Sequence, residues 1–344
     1  VATKATPVSS QEDSIPRKII GLEFMPWFHS LYSAKLSKLC DNKGMGIGHY
    51  IKEIGRGKDG ARSLTREQAA DLLGQVLDQQ VSDLEIGAFC LAMRIKGETP
   101  GEMAGFLDAV HARLNTLPNA QAKATVVIPC YNGARKLPAL APLLALLLVQ
   151  QGVRVCVHGT PTESSRTTSF EVFEAMGHKS MAYASDAHDG LNLIATEVLS
   201  PALKNLLDVR RVVNLRNPAH SLVKLMNPCQ GPALIVSSYT HPEYAISMAQ
   251  TFQLTQANAF LLRGTEGEPV ADPRRAPQMD FFHNGSAQTV QIAQAGALQN
   301  IPDLPAASAV ATATFIQEVL NQQRAVPVPI ALQVQHILQA LKSL

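Results

Sequence analysis

After Pro118 the chain carries four short apolar runs that do not alternate with polar residues: ATVVIP at 124–129, VRVCVH at 153–158, ALIVSS at 233–238 and AFLLR at 259–263. A strand with one wet face alternates; a strand that is apolar throughout must be covered on both faces. Between and beside these runs, 138–150, 168–177, 191–206 and 242–255 read as helices. Strands and helices in alternation predict a mostly parallel sheet sandwiched between helices. Ligands of such sheets bind beyond the carboxyl ends of the strands. The loops to inspect are therefore 129–137, 158–168 and 263–271.

Ahead of this region, 46–117 reads as helical throughout. Thr65-x-x-Gln68, Ser82-x-x-Glu85 and Thr99-Pro100-x-Glu102 are three successive capping boxes, each a hydroxyl and a Glu or Gln that satisfy each other's backbone N–H groups. Pro100 sits where its missing N–H is harmless. Behind the caps, Leu72, Leu73, Val76 and Leu77, then Ile86, Phe89, Cys90 and Met93, recur at helical spacing. The expected organisation is a tail over 1–44, which mixes Pro7, Pro16 and Pro26 with a short apolar cluster around Trp27 and Phe28 and precedes a plausible start at Met45; a small all-helical domain over 45–117; and a larger α/β domain over 118–344. The fold class expected is α/β, an all-helical N-terminal domain followed by a mostly parallel sheet.

Composition excludes several classes. With 46% hydrophobic and 17% charged residues, the 344-residue chain lies far from the disordered regime. Its five cysteines, at 40, 90, 130, 156 and 229, include no Cys-x-x-Cys pair, which argues against a disulfide framework or a thiolate zinc site and favours a reducing, cytoplasmic setting. The longest apolar run, 137–149, is interrupted by Pro138 and Pro142 and falls short of the roughly 20 residues of a membrane span. Neither a secretory signal nor a membrane segment is expected.

The loop at 129–137 offers Gly133, with Arg135 and Lys136 ahead of a helix: a plain turn first, a thin phosphate cradle second. The loop at 158–168 runs from His158 and Gly159 through Ser164 and Ser165 into a helix, and reads equally as an anion site or an N-cap cluster. His158 has no carboxylate or second histidine nearby in sequence. The acids of the third loop, Glu266, Glu268 and Asp272, read as a solvated turn rather than a magnesium site.

Charge is more informative. The chain's net charge is only +2, yet between Leu203 and Lys224 five cations (Lys204, Arg210, Arg211, Arg216 and Lys224) face Asp208 alone. Further basic groups fall at Lys52, Arg56, Lys58 and Arg62 and at Arg274 and Arg275. Localised cations of this kind are the footprint of a polyanion partner, or else a solvated face or an ion-pair set. Few aromatics interleave with them, so base stacking is not expected.

At these residues the chain resembles the anthranilate phosphoribosyltransferase family (glycosyltransferase family 3), and most closely its divergent YbiB-type branch. FCLAMRIKGET at 89–99 is similar to that family's FL-ALR-KGET segment. His158 and Gly159, with Ser164, Ser165 and Arg166 and then EAMG at 174–177, are similar to its HGNR–SSR–LEALG stretch, and 213–228 to its RT-FNLLGPL-NP stretch. Three family devices are altered. The glycine-rich GTGGDG phosphoribosyl-pyrophosphate loop falls on 129–134 (PCYNGA), the NIST segment on 139–142 (ALAP), and the magnesium-binding acids on Pro269 and Val270. In the HGNR stretch, Thr160 and Pro161 stand for Asn and Arg, and Val157 for the preceding Lys.

Phosphoribosyl transfer needs its pyrophosphate cradled and neutralised. The resemblance to the YbiB-type branch therefore implies a non-catalytic, sequence-tolerant nucleic-acid-binding homodimer, paired through the helical domain and needing no cofactor or metal. The expected nucleic-acid-binding residues are Lys204, Arg210, Arg211, Arg216 and Lys224. Gly133, Arg135, Lys136, His158, Gly159, Ser164 and Ser165 would be the remnant of the donor anion site. The alternative is a phosphoribosyltransferase that keeps a degenerate donor site and uses magnesium.

Overall fold

A computed structural model describes residues 46–57, 59–119, 123–163, 165–298 and 302–344. The tail expected over 1–44 lies outside them. Gly46–Leu344 forms one compact unit.

All three capping boxes form, and each starts a helix. After α1 (Gly48–Ile54), Thr65 opens α2 (Arg66–Leu77), Ser82 opens α3 (Asp83–Lys96) and Thr99 opens α4 (Pro100–His111). The last box does more than cap. Glu102 is fully buried and accepts from the Thr99 N–H (2.9 Å), the Leu64 N–H (2.9 Å) and the Lys96 ammonium (2.6 Å). A buried carboxylate is tolerable only when paired and hydrogen-bonded in this way. The network fixes the 96–99 turn.

The sheet has seven strands in the order β3-β2-β1-β4-β5-β6-β7: β1 (Thr125–Cys130), β2 (Arg154–Gly159), β3 (Leu191–Ala195), β4 (Ala233–Tyr239), β5 (Ala259–Arg263), β6 (Met279–His283) and β7 (Ser286–Gln291). β1 to β5 are mutually parallel, and β6 and β7 are antiparallel additions at one edge. The four apolar runs read from sequence are β1, β2, β4 and β5. Their lack of alternation has the expected cause. Val127, Cys156, Ile235 and Leu261 enter the core on one face, while Val126, Val155, Leu234 and Phe260 enter the core on the other.

One face is covered by α5 (Ala141–Gln150), α6 (Ser169–Ala175), α11 (Ala309–Leu320) and α12 (Val328–Leu341). The apolar run at 137–149 thus supplies α5, and among the described residues no helix is long and apolar enough to cross a membrane. The other face carries α10 (Pro242–Thr255) and the helical layer. That layer is not confined to the N-terminal segment. α7 (Thr196–Leu199), α8 (Pro201–Val213) and α9 (Ala219–Leu222) add Leu199, Leu203, Leu206 and Leu222 to the core that holds Leu72, Phe89 and Phe106.

One sequence reading is corrected. The helix expected over 191–206 begins only at Thr196, because Leu191–Ala195 pairs with β2 as the edge strand β3. The β6–β7 hairpin has no counterpart among the apolar runs of the sequence. It turns on Asn284 and Gly285 with φ of 49° and 73°, the asparagine–glycine combination a type I′ turn requires.

Candidate functional site

The strand order reverses at β1, which pairs with β2 on one side and β4 on the other. The β1–β4 pairing stops at Val127 and Ile235, so the carboxyl ends of these strands diverge and open a crevice. This is the switch point at which doubly wound sheets bind ligands. The loop after β1, the end of β4 and the turn after β5 meet there.

The turn after β5 closes tightly: the Glu268 N–H donates to the Thr265 carbonyl at 3.0 Å, and the two central residues, Glu266 and Gly267, have φ of 52° and 93°. Glycine is at home there and glutamate is strained. A Cβ on Gly267 would fall 1.7 Å from the Asn132 side-chain nitrogen, so the turn lies directly against the loop after β1. It delivers two carboxylates to that loop's backbone.

One oxygen of Glu268 accepts from the N–H groups of Asn132 (2.7 Å) and Gly133 (2.9 Å), and its other oxygen from the Ser169 hydroxyl (3.0 Å). Glu266 accepts from the N–H groups of Arg135 (2.6 Å), Lys136 (3.1 Å) and Leu137 (3.4 Å). Partial burial alone would raise the Glu266 carboxyl. The three backbone donors outweigh it and hold the group below its ordinary value. The solvated turn expected for these acids is thus corrected: Glu268 is 2% exposed, and both carboxylates are bound by the chain itself.

Around this plug the anticipated donor-site residues are dispersed. Gly133 is in the bonded loop with φ of 65°, and the Arg135 and Lys136 side chains are exposed. His158 is fully buried on β2, where its Nδ1 meets the Tyr131 hydroxyl at 2.8 Å, and that hydroxyl meets Thr196 Oγ1 at 2.7 Å. Burial pushes the imidazole down to about 3. A Cβ on Gly159 would lie 2.0 Å from the Cys130 carbonyl oxygen, which makes that glycine a packing requirement. Ser164 lies outside the described residues, and Ser165 is exposed. Thr168, not a serine of the loop, caps α6.

The five cations of 204–224 do not share one open face. Lys204 pairs with Asp208, as does Arg211 (3.2 Å), which is the most exposed of them. Arg210 and Arg216 converge on Glu163, each at 3.1 Å, and Arg166 joins them at 3.3 Å. Arg216 and Lys224 reach a cavity of about 360 Å³ between the 96–99 turn, α9, α10 and the end of β4. Lys96, His220, Tyr239 and Tyr244 line it as well, with Glu98 and Glu243 as its acids.

The basic stretch read from the sequence ends at Lys224, so it does not include these aromatics, which β4 and α10 bring to the cavity from 15 and 20 residues further on. Lys224 donates to the Gly267 carbonyl at 3.1 Å, and burial lowers its ammonium to about 8 despite the attraction of Glu268. Burial, with Arg216 next, lowers His220 to about 4. At neutral pH the cavity therefore presents a protonated but readily titrated lysine, three further cations (Arg94, Lys96 and Arg216) and a neutral histidine.

Comparison with known proteins places the chain in a family. Residues 49–113 match the helical bundle domain of the glycosyl transferase family. The chain is 41% identical over 240 residues to YbiB, an uncharacterized protein of Escherichia coli (strain K12), covering 67% of this chain and 75% of that one. The chain belongs to the anthranilate phosphoribosyltransferase-like proteins of glycosyltransferase family 3. Within the family it is also 28% identical over 201 residues to the anthranilate phosphoribosyltransferase of Dictyoglomus thermophilum, spanning 56% of this chain and 58% of that enzyme. The anthranilate phosphoribosyltransferase of Thermus thermophilus shares the fold, with a TM-score of 0.66 at 21% identity over 86% of this chain and 89% of that one. So does the Saccharomyces cerevisiae enzyme in complex with PRPP and Mg, at a TM-score of 0.66 and 13% identity over the same shares of the two chains.

Proposed function

We propose that this family member is a non-catalytic, cytoplasmic, nucleic-acid-binding homodimer on a phosphoribosyltransferase scaffold. The observation that carries the reading is the pair of carboxylates, Glu266 and Glu268, seated on the backbone N–H groups of 132–137. The family's pyrophosphate cradle falls on 129–134, so Glu268 holds its last amides and Glu266 those immediately beyond. A donor diphosphate would have to displace two anions that already satisfy those amides, one of them buried. The reading assigns no magnesium: Pro269 and Val270 stand where the family's metal-binding acids would fall, and the neighbouring Glu163, Glu266 and Glu268 are engaged by arginines or backbone N–H groups.

Nucleic acid is favoured as the partner because the cavity sets Arg216 and Lys224 beside Tyr239 and Tyr244. Cations follow a phosphate backbone, and tyrosine faces accept bases of any sequence. Outside the cavity, Arg211, Arg135 and Lys136 are exposed as well. Pairing through the helical layer is supported by α3, which leaves Leu84, Leu91 and Ile95 exposed at 79%, 46% and 60% along one helical stripe. A second copy of the chain is the occupant proposed for that stripe.

The plug is tested by thermal unfolding with millimolar phosphoribosyl pyrophosphate and magnesium. A ligand that binds only the folded chain raises the transition temperature by mass action. The reading predicts no rise; a rise of several degrees would restore the transferase alternative.

A further inference from the structure

The two seated carboxylates are not equivalent, and the difference points to a role for one of them. Glu268 is buried, and its oxygens are shared among two amides and the Ser169 hydroxyl. Glu266 is only half-buried and sits on the strained φ of 52° at the tip of the turn. It nevertheless holds three successive N–H groups, those of Arg135, Lys136 and Leu137. Three converging backbone donors form an anion-binding concavity whatever anion fills it. Arg166 adds its charge to the same seat, and the exposed side chains of Arg135 and Lys136 belong to the loop itself.

We propose that Glu266 is an autoinhibitory internal ligand: it excludes phosphate-class oxyanions from the 135–137 amides and gives way to them, while Glu268 holds the loop in shape. This rests on the reading of the plug given above and adds that half of it is displaceable. The turn that carries Glu266 also carries the Gly267 carbonyl, which receives Lys224 (3.1 Å) and Ser238 (2.8 Å) from the cavity side. An oxyanion that lifts the tip would therefore be felt by Lys224.

The test is calorimetric titration of inorganic pyrophosphate, without metal, into the full chain and into Glu266→Gly and Glu266→Gln. Glycine relieves the strained φ and removes the anion, so this variant is expected to fold; glutamine keeps the shape and removes only the charge. The expected result is weak binding by the parent chain and affinity at least about tenfold higher in both variants, with glycine the stronger. Amide resonances of 135–137 should shift on titration. Folded variants that bind pyrophosphate no better than the parent chain, or that bind it without moving those amides, would overturn the proposal. Either result leaves the plug itself standing. Tight binding by the parent chain, equal to that of the variants, would overturn the plug as well.

Discussion

The carboxylate of Glu268 accepts the backbone N–H of Gly133 at 2.9 Å, across 135 residues of sequence. It also holds Asn132 N–H and the Ser169 hydroxyl, so three polar groups depend on one side chain. Glu268→Ala should lower stability by about 3 kcal/mol, since each buried group left unsatisfied costs of order 1 kcal/mol or more. Urea unfolding measures it. A loss below about 0.5 kcal/mol, the range of an ordinary surface substitution, would contradict the buried geometry.

Glu266 links the plug to pH. Its carboxyl lies below the ordinary value of 4.5 in the folded chain, so its stabilising share is complete above that value and is lost as pH falls through and below it. Stability of the parent chain should fall more steeply between about pH 5 and 3 than that of Glu266→Gln. Parallel curves would show that the three N–H donors do not hold the charge.

Glu102 is predicted to anchor the rim of the cavity. Glu102→Ala removes the partner of Lys96, whose side chain is only 7% exposed, and the half of the capping box that satisfies the Thr99 and Leu64 N–H groups. A buried pair broken on one side loses about 3 kcal/mol or more, which chemical denaturation would register. A loss near 1 kcal/mol would reduce Glu102 to an ordinary cap.

These residues also show which parts of the molecule are legible in the sequence. The three capping boxes are contained within four residues each, and all three form. The strands β1, β2, β4 and β5 are legible because burial on both faces removes alternation. β3 is misread because LNLIA runs without a break into the helix at Thr196, and a five-residue edge strand leaves little pattern. The plug is invisible for a different reason. Arg135 and Glu266 are 131 residues apart, and nothing local distinguishes an acid that reaches water from one that reaches a loop on another strand. The same distance hides Glu163, which gathers Arg210 and Arg216 and turns part of an apparent basic patch into an ion-pair cluster.

Lys224 gives the cavity a titration of its own. The groups acting on it are Glu268, Arg216 and the Cys130 thiol, with burial the largest influence, and its ammonium titrates at about 8. A bound phosphate would favour the protonated form, so oligonucleotide affinity should fall between about pH 7 and 9.5 as that proton is lost. Lys224→Met should weaken binding at pH 7 and flatten the profile. An unchanged profile would place the bound strand outside the cavity.

The exposed stripe of α3 predicts the assembly. Leu91→Asp with Ile95→Asp should convert a dimer to a monomer in sedimentation equilibrium, with the helical content unchanged. A dimer that persists would move the interface elsewhere.

The most direct test of the account is fluorescence anisotropy of a labelled single-stranded oligonucleotide titrated with the chain at about 50 and 200 mM salt. The account predicts saturable binding that weakens by orders of magnitude at the higher salt, as phosphates neutralised by Arg216, Lys224 and the exposed cations regain their counterions. Absence of binding at both salts would contradict it.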